Sequence, residues 1–141
     1  CDPNAPLSAW QAVNSSKTSE LEAQLCQGDI ACPGCMSQDN LAYLALCRAG
    51  QCTAVDLRKD ELSACKSHDE CRVRWGSDCC ESCGVPNAES LIAYNKNVSL
   101  EQQVCDPKSG GCPPCAPPPY PPYILPICGS DGHCTTTLVG P

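Results

Sequence analysis

One short pattern stands twice in this chain, first as Cys47-Arg48-Ala49-Gly50-Gln51-Cys52-Thr53 and again as Cys128-Gly129-Ser130-Asp131-Gly132-His133-Cys134-Thr135. In both copies two cysteines flank a glycine-containing turn between β-rich segments. Strand, glycine turn and strand form the pattern of a β-hairpin, so we predict one in each half of the chain. The flanking cysteines would face each other across the strands, which allows a Cys47–Cys52 and a Cys128–Cys134 bridge.

The repeat extends beyond the hairpins to six cysteines in each half. The spacer residues agree as well, since Ala12-Val13-Asn14 corresponds to Ala93-Tyr94-Asn95 and Cys32-Pro33-Gly34-Cys35 to Cys112-Pro113-Pro114-Cys115. Chance does not keep six cysteines and their spacers in order, so we interpret the chain as an internal duplication. The two sets are Cys1, Cys26, Cys32, Cys35, Cys47 and Cys52, and Cys83, Cys105, Cys112, Cys115, Cys128 and Cys134.

The four other cysteines all precede the second set; they are Cys65, Cys71, Cys79 and Cys80. We therefore predict a complete unit over 65–141, preceded by an incomplete unit over 1–64 that lacks this front end. The expected fold class is small, disulfide-rich α+β, in which two related units each have short helices, a C-terminal β-hairpin and little other regular secondary structure.

The composition favours a fold held by disulfides. The chain of 141 residues has sixteen Cys and fourteen Pro but no Phe, two Trp and one Met. So few large apolar side chains cannot offset the ordering entropy of the chain by burial alone. We expect all sixteen cysteines to be structural and paired. Because disulfides persist in oxidising compartments, we expect the protein to be extracellular, periplasmic or on the outer cell surface.

Short helices are predicted at two places in each half of the chain. Leu7, Trp10 and Val13 have helical spacing, and the corresponding segment 89–94 supports a short helix in both halves. Further helical turns are predicted over Ser19–Cys26 and Ser99–Cys105.

Five segments are predicted as strands, of which Cys52–Leu57 and Cys134–Val139 follow the two hairpin turns. Residues 41–47 favour a helix by propensity, but their counterpart 117–128 is rich in proline, so we predict strands at Tyr43–Cys47 and Tyr123–Cys128. Cys71–Trp75 alternates apolar and charged residues, as a half-exposed strand does.

The first residue, Cys1, allows two interpretations. A chain that begins at cysteine after removal of a signal peptide resembles a lipid-carrying bacterial lipoprotein, whose only link to the membrane would be that lipid. Since Cys1 corresponds to Cys83 inside the chain, we favour pairing over lipidation.

Charge and residue content exclude several functions. A formal charge of −7 argues against binding to nucleic acid, which needs clustered Lys and Arg. Acid–base or nucleophilic catalysis needs a base, and the only histidines, His68 and His133, are expected to be exposed turn residues. We predict no enzymatic activity, no catalytic residue, no cofactor and no bound metal.

Three Cys-x-x-Cys pairs keep a metal alternative open: Cys32/Cys35, Cys80/Cys83 and Cys112/Cys115. None precedes a histidine, which excludes covalent haem attachment, and no thioredoxin-like βαβ unit is visible. Zinc could take four ligands from Cys32/Cys35 and Cys112/Cys115. The even and high number of cysteines favours disulfides over this metal-binding module.

The proline-rich run 117–123 has two tyrosines, Tyr120 and Tyr123, on a stiff polyproline II backbone. They are candidate partner contacts. The simpler interpretation is a rigid spacer that covers the hairpin.

Cys65-Lys66-Ser67-His68-Asp69-Glu70-Cys71, followed by Cys79-Cys80-Glu81-Ser82-Cys83-Gly84-Val85-Pro86, resembles the centre of whey-acidic-protein inhibitor domains. The resemblance implies a secreted serine-protease inhibitor, with a reactive loop at Arg72-Val73-Arg74-Trp75 read by a trypsin-like pocket. Beyond residue 86 the distant Cys105 departs from the compact core of that family.

Across the whole chain, the Cys-x5-Cys, Cys-Cys-x2-Cys and Cys-Pro-x-Cys steps are similar to those of cysteine-rich exported proteins and lipoproteins of Gram-negative bacteria. We therefore expect a non-enzymatic structural or adhesive protein of the cell surface or medium. Its partner would be another surface protein or a second copy, because the missing front end of unit 1–64 leaves a surface that could accept another chain and build a fibre or oligomer.

Overall fold

The computed structural model describes residues 5–25, 40–81, 83–105, 111–112 and 120–140. Over these ranges the chain is disulfide-rich, with two short α-helices and three separate two-stranded antiparallel sheets. The elements are α1 Thr18–Leu25, β1 Tyr43–Arg48, β2 Gln51–Asp56, β3 Cys71–Trp75, β4 Leu91–Asn95, α2 Leu100–Val104, β5 Ile124–Cys128 and β6 Cys134–Leu138. The predictions for Cys1, Cys26, Cys32, Cys35 and Cys115 concern residues outside these described ranges.

Both predicted hairpins are confirmed. Strands β1 and β2 pair with Cys47 opposite Cys52, and β5 and β6 pair with Cys128 opposite Cys134. The turn of the first hairpin contains Ala49 at φ 51° and Gly50 at φ 78°. Two successive left-handed residues match the right-handed twist of the strands, which explains a tight two-residue turn at this point.

Pro126 lies in the middle of β5 without interrupting it. The Val139 N–H donates to the Tyr123 carbonyl over 2.8 Å, and hydrogen-bonded pairs alternate from there along the ladder. Pro126 therefore faces Thr136 at a position without cross-strand hydrogen bonds. A proline at that position has no ladder bond to lose.

The prediction of a helix over 89–94 is wrong. Ala88–Ser90 forms one 3-10 turn, and Leu91–Asn95 is strand β4, paired antiparallel with the correctly predicted β3. Four of its five residues are buried, so tertiary packing and cross-strand hydrogen bonds outweigh a helical spacing of three apolar residues. In the first half, only Leu7–Ala9 of the predicted helix forms a 3-10 turn. The later helix predictions are confirmed by α1 and α2.

One predicted disulfide is confirmed and one is wrong. Cys47 and Cys52 are bonded, with Cα atoms 4.1 Å apart across the β1–β2 hairpin. Cys128 and Cys134 instead bond Cys65 and Cys71, because β3 lies against β5 and brings these cysteines within reach. Cys83 is also disulfide-bonded, and the other described bridges are Cys79–Cys105 and Cys80–Cys112.

The main core joins residues from both halves of the chain. Its buried members come from β1, the segment after β2, β4 and α2: Leu44, Leu46, Leu57, Leu62, Ile92, Tyr94 and Leu100. A second, smaller cluster surrounds the Cys71–Cys134 bridge between β3 and β6, where Cys71, Ala93 and Cys134 are buried. The disulfides therefore lie beside a small core and supplement its burial.

Asp60 is a capping residue in the segment between β2 and β3. Its carboxylate accepts two hydrogen bonds from the Arg48 guanidinium, at 2.7 and 2.9 Å, and one from the Leu62 N–H at 3.1 Å. Burial alone would raise the pKa of the Asp60 carboxyl, but the Arg48 and Leu62 donors outweigh it, so this pKa lies below its usual value.

Asp60→Asn is expected to lower the free energy of unfolding at neutral pH by about 1–2 kcal/mol, since a charge-assisted bond and the charge of a cap are lost. The pKa of the Asp60 carboxyl is lower in the folded protein than in the unfolded chain. Its contribution to stability is therefore complete at pH values above the unfolded-state pKa and is lost as the pH falls through the folded-state pKa. Urea unfolding across the acid range tests this. The difference between the proteins should shrink at low pH, and the exposed Asp78→Asn should show neither effect. A difference that stays constant with pH would contradict the assignment.

Candidate functional site

The free end of the β5–β6 hairpin carries an exposed apolar surface. Tyr123, Leu125 and Val139 share one face, because Tyr123 pairs with Val139 and alternate residues of a strand point the same way. Leu138 pairs with Ile124 on the other face and is 69% exposed, and it borders the same pocket as Pro122, Tyr123 and Val139. We call these five residues the hairpin-end patch. It contains no charged side chain.

The opposite end of this hairpin is anchored to the preceding segment. Cys128 and Cys134 are bonded to Cys65 and Cys71, and the Cys65 N–H donates to the Gly132 carbonyl at 2.8 Å. The Cys128 N–H also donates to Nδ1 of His68 at 3.0 Å. The patch is thus presented on a strand pair that is covalently fixed at its base.

The two tyrosines predicted as partner contacts lie in different environments. Tyr123 is 50% exposed and belongs to the hairpin-end patch. Tyr120 is half-buried, and its hydroxyl donates a hydrogen bond to the Glu81 carboxylate. Burial, together with this bond and the charge of Glu81, raises the pKa of the Tyr120 hydroxyl above its ordinary range. Of these two tyrosines, Tyr123 is therefore the one exposed to solvent.

Arg72-Val73-Arg74-Trp75, the segment proposed as a protease-binding loop, lies in strand β3. Arg74 is fully buried, and it donates to the carbonyl groups of Asp78 and Cys79. Arg72 is held over the Tyr94 ring, with 5.1 Å between the guanidinium carbon and the ring centroid. A paired strand with a buried arginine does not present the exposed loop that a protease pocket reads, so this geometry disfavours the inhibitor alternative.

His133 and Ser63 approach each other, with 3.0 Å between Nδ1 and Oγ, but their geometry is not that of a nucleophile and its base. The Ser63 hydroxyl is fully buried and donates to the Leu57 carbonyl at 2.5 Å. Its single proton is thereby engaged, so His133 must be the donor to Ser63 Oγ. His133 is half-buried rather than exposed as predicted, while His68 is exposed.

Two groups of cysteines have sulfur atoms within 4.8 Å of one another: Cys65, Cys71 and Cys134, and Cys79, Cys80 and Cys112. All six belong to disulfides. A zinc ligand is a thiolate, so these sulfurs would bind a metal only after reduction. Of the four cysteines considered for zinc, Cys112 is bonded to Cys80, and the other three lie outside the described residues.

No protein-family model, curated protein or solved structure matches this chain. Among the described residues, no helix has the length and apolar character needed to cross a membrane.

Sequence reasoning missed three residues of the patch, Leu125, Leu138 and Val139. The signal for Leu125 and Val139 was available in part, because a two-stranded hairpin has an uncovered face and alternate residues share it. Which face is covered depends on β3 and β4, which pack against β5 and β6. That choice is not visible in the local pattern.

Proposed function

We propose that this chain is a non-enzymatic, disulfide-stabilised structural or adhesive protein of the cell surface or medium, which associates with its own copies through the hairpin-end patch. The observation that carries the proposal is an uncharged apolar surface on a hairpin anchored by two disulfides. Contiguous exposed apolar surface on a protein of this kind marks a protein–protein contact.

The formal charge of −7 opposes self-association, so copies of this chain would have to meet at an uncharged region. The hairpin-end patch supplies such a region. The described disulfides also support an oxidising location outside the cytoplasm. A duplication into units 1–64 and 65–141 remains part of the proposal and is supported by a hairpin at the end of each.

Replacing both Leu138 and Val139 with serine is expected to weaken self-association at least tenfold, because burying one Leu or Val side chain contributes about 1.5–3 kcal/mol and 1.4 kcal/mol is a tenfold change. Sedimentation velocity from micromolar to millimolar concentration measures the effect. The wild-type average mass should rise with concentration and that of the variant should rise less.

Val85→Ser is the matched control, since Val85 is 76% exposed and lies outside the patch. It should associate like the wild type. Equal behaviour of the Leu138/Val139 variant and the wild type would reject the patch as the contact. A wild-type protein that stays monomeric throughout would reject self-association itself.

A further inference from the structure

A polar cavity of about 550 Å³ lies where the turn of the β5–β6 hairpin meets the end of β2 and the segment that follows it. Its volume falls within the range of about 300–1,000 Å³ that is typical of small-ligand sites. The polar side chains of its two walls are those of Asp56, Arg58 and Lys59 on one side and Ser130, Asp131, His133 and Thr135 on the other. We call it the hairpin-turn cavity.

The first wall is fixed by an ion pair. The Arg58 guanidinium donates two hydrogen bonds to the Asp56 carboxylate, both at 2.8 Å, and the Arg58 backbone N–H donates a third at 3.1 Å. The guanidinium carbon also lies over the Tyr43 ring, 5.7 Å from its centroid. A guanidinium has five N–H donors, of which the pairing with Asp56 uses two. Arg58 is therefore held in place by Asp56 and Tyr43 while it still carries donors for a ligand.

The second wall is fixed by the hydrogen bonds of the hairpin turn. The Gly129 N–H donates to the His133 carbonyl at 2.8 Å, and the His133 N–H donates to Oδ1 of Asp131 at 3.3 Å. The His133 ring donates from Nδ1 to the Ser63 hydroxyl oxygen, so Nε2 is the acceptor of the neutral ring. The backbone of this wall and the His133 ring thus have a set orientation before a ligand arrives, which lowers the ordering cost of binding.

The lining of the cavity restricts the chemistry of its ligand. Apart from Cys134, each residue that lines it is glycine or has a polar or charged side chain. The charged side chains are two acids, Asp56 and Asp131, and two bases, Arg58 and Lys59. An ion of either sign therefore meets a like charge as well as an opposite one. The cavity suits an uncharged molecule that carries polar groups on all sides.

We propose that the hairpin-turn cavity is a binding site for a neutral saccharide. A sugar ring carries hydroxyl groups on most of its carbon atoms, and each hydroxyl both donates and accepts a hydrogen bond. The Asp131 carboxylate and His133 Nε2 accept such bonds, and Lys59 donates them. Hydrogen bonds to ionised groups are roughly twice as strong as those between neutral groups, so several hydroxyl groups bound at once give affinity without a net charge.

This site goes beyond the proposed self-association and does not depend on it. The hairpin-turn cavity and the hairpin-end patch share no residue, and they lie at opposite ends of the β5–β6 hairpin. A chain with both would hold surface saccharides at one end of the hairpin and a second copy at the other, which is the behaviour expected of an adhesive protein.

NMR titration of the full-length oxidised protein with the methyl glycosides of glucose, galactose, mannose and N-acetylglucosamine tests the site. At least one of these neutral probes should cause saturable shifts of the backbone amides of Lys59, Asp131 and Thr135. Sodium sulfate and glycine, an anion and a zwitterion, should cause no saturable shift there. The protein in which Leu138 and Val139 are replaced by serine should bind the same glycoside as the wild type does.

Thr135→Val is expected to weaken binding of that glycoside by about two- to tenfold, because it removes one hydroxyl and keeps the shape of the side chain. Asp131→Asn should weaken it by about tenfold or more, because a charge-assisted acceptor is lost while Oδ1 remains for the His133 N–H. Thr137→Val is the matched control, since Thr137 lies on the same strand and face as Thr135 but does not line the cavity. It should bind like the wild type.

Saturable shifts with sulfate or glycine but with none of the glycosides would reveal an ionic site and overturn the proposal. It would also be overturned if no glycoside gave saturable shifts at the cavity, or if Thr135→Val and Asp131→Asn bound as tightly as the wild type. A protein that binds a glycoside but stays monomeric upholds the cavity and rejects the patch, and one that associates without binding a glycoside does the reverse.

Discussion

Replacing Cys65, Cys71, Cys128 and Cys134 together with alanine is expected to lower the free energy of unfolding by about 4 kcal/mol or more. Both bridges connect residues 63 positions apart in the sequence. In the chain-entropy model, closing a loop of that length restricts the unfolded chain by about 4 kcal/mol, against about 2 kcal/mol for a loop of a few residues.

The two bridges are expected to be partly non-additive. They lie side by side, and either one alone keeps the long loop closed in the unfolded chain. The second bridge then closes a loop of only about a dozen residues, so removing Cys65–Cys128 or Cys71–Cys134 alone should cost about 3 kcal/mol in loop entropy. The loss of Cys71–Cys134 should be the larger of the two, because Cys71 and Cys134 are buried in the second core cluster and their removal also leaves a cavity.

Denaturant unfolding of the oxidised proteins measures these differences. The matched control is the pair Cys47→Ala and Cys52→Ala, whose bridge spans 5 positions and should contribute about 2 kcal/mol. Mass spectrometry must show that the remaining cysteines keep their pairing. If the four-cysteine variant loses no more stability than this control, the proposed anchoring of the β5–β6 hairpin is wrong.

Glu81→Gln is expected to lower the free energy of unfolding by about 3 kcal/mol, because it leaves a buried arginine without a countercharge. The Arg74 side chain has no exposed surface, and its Nε lies 4.0 Å from Glu81 Oε1. Within the described part of the chain, two of its nitrogen atoms, Nε and Nη1, have no hydrogen-bond partner. The Glu81 carboxylate therefore supplies the nearest compensation for this buried charge.

A double-mutant cycle separates charge from packing. Arg74→Met removes the charge while keeping most of the side-chain volume, so the double variant Arg74→Met/Glu81→Gln should be more stable than Glu81→Gln alone. Arg72→Met is the control for the half-exposed arginine, whose pairing with Glu81 spans 3.8 Å and should contribute less than about 1 kcal/mol. Urea unfolding of the wild type, the two single variants, the double variant and the Arg72→Met control gives the free energies of unfolding to compare. If the double variant is the least stable, Glu81 does not act through the charge of Arg74.

Local patterns in the sequence predicted much of the secondary structure. Both hairpins follow from a glycine turn between β-rich segments, and Pro126 is accommodated because it falls at a position without ladder bonds. Strand β3 followed from alternation, α1 from a capping box, and α2 from its correspondence to the α1 segment. Comparing the halves corrected the helix that propensity alone favours at 41–47. These features depend on neighbours within a few residues, which the sequence displays directly.

The sequence by itself determined that the protein relies on disulfides, that it has two cysteine-rimmed hairpins, and that Cys47 and Cys52 face each other. Only the tertiary structure decided that Cys128 and Cys134 bond Cys65 and Cys71, that β4 is a strand, and that Leu138 and Val139 are exposed while Arg74 is buried. The reason is that each of these depends on which distant segment packs beside the hairpin. Six cysteines allow fifteen pairings, and spacing alone does not rank them until β3 is placed against β5.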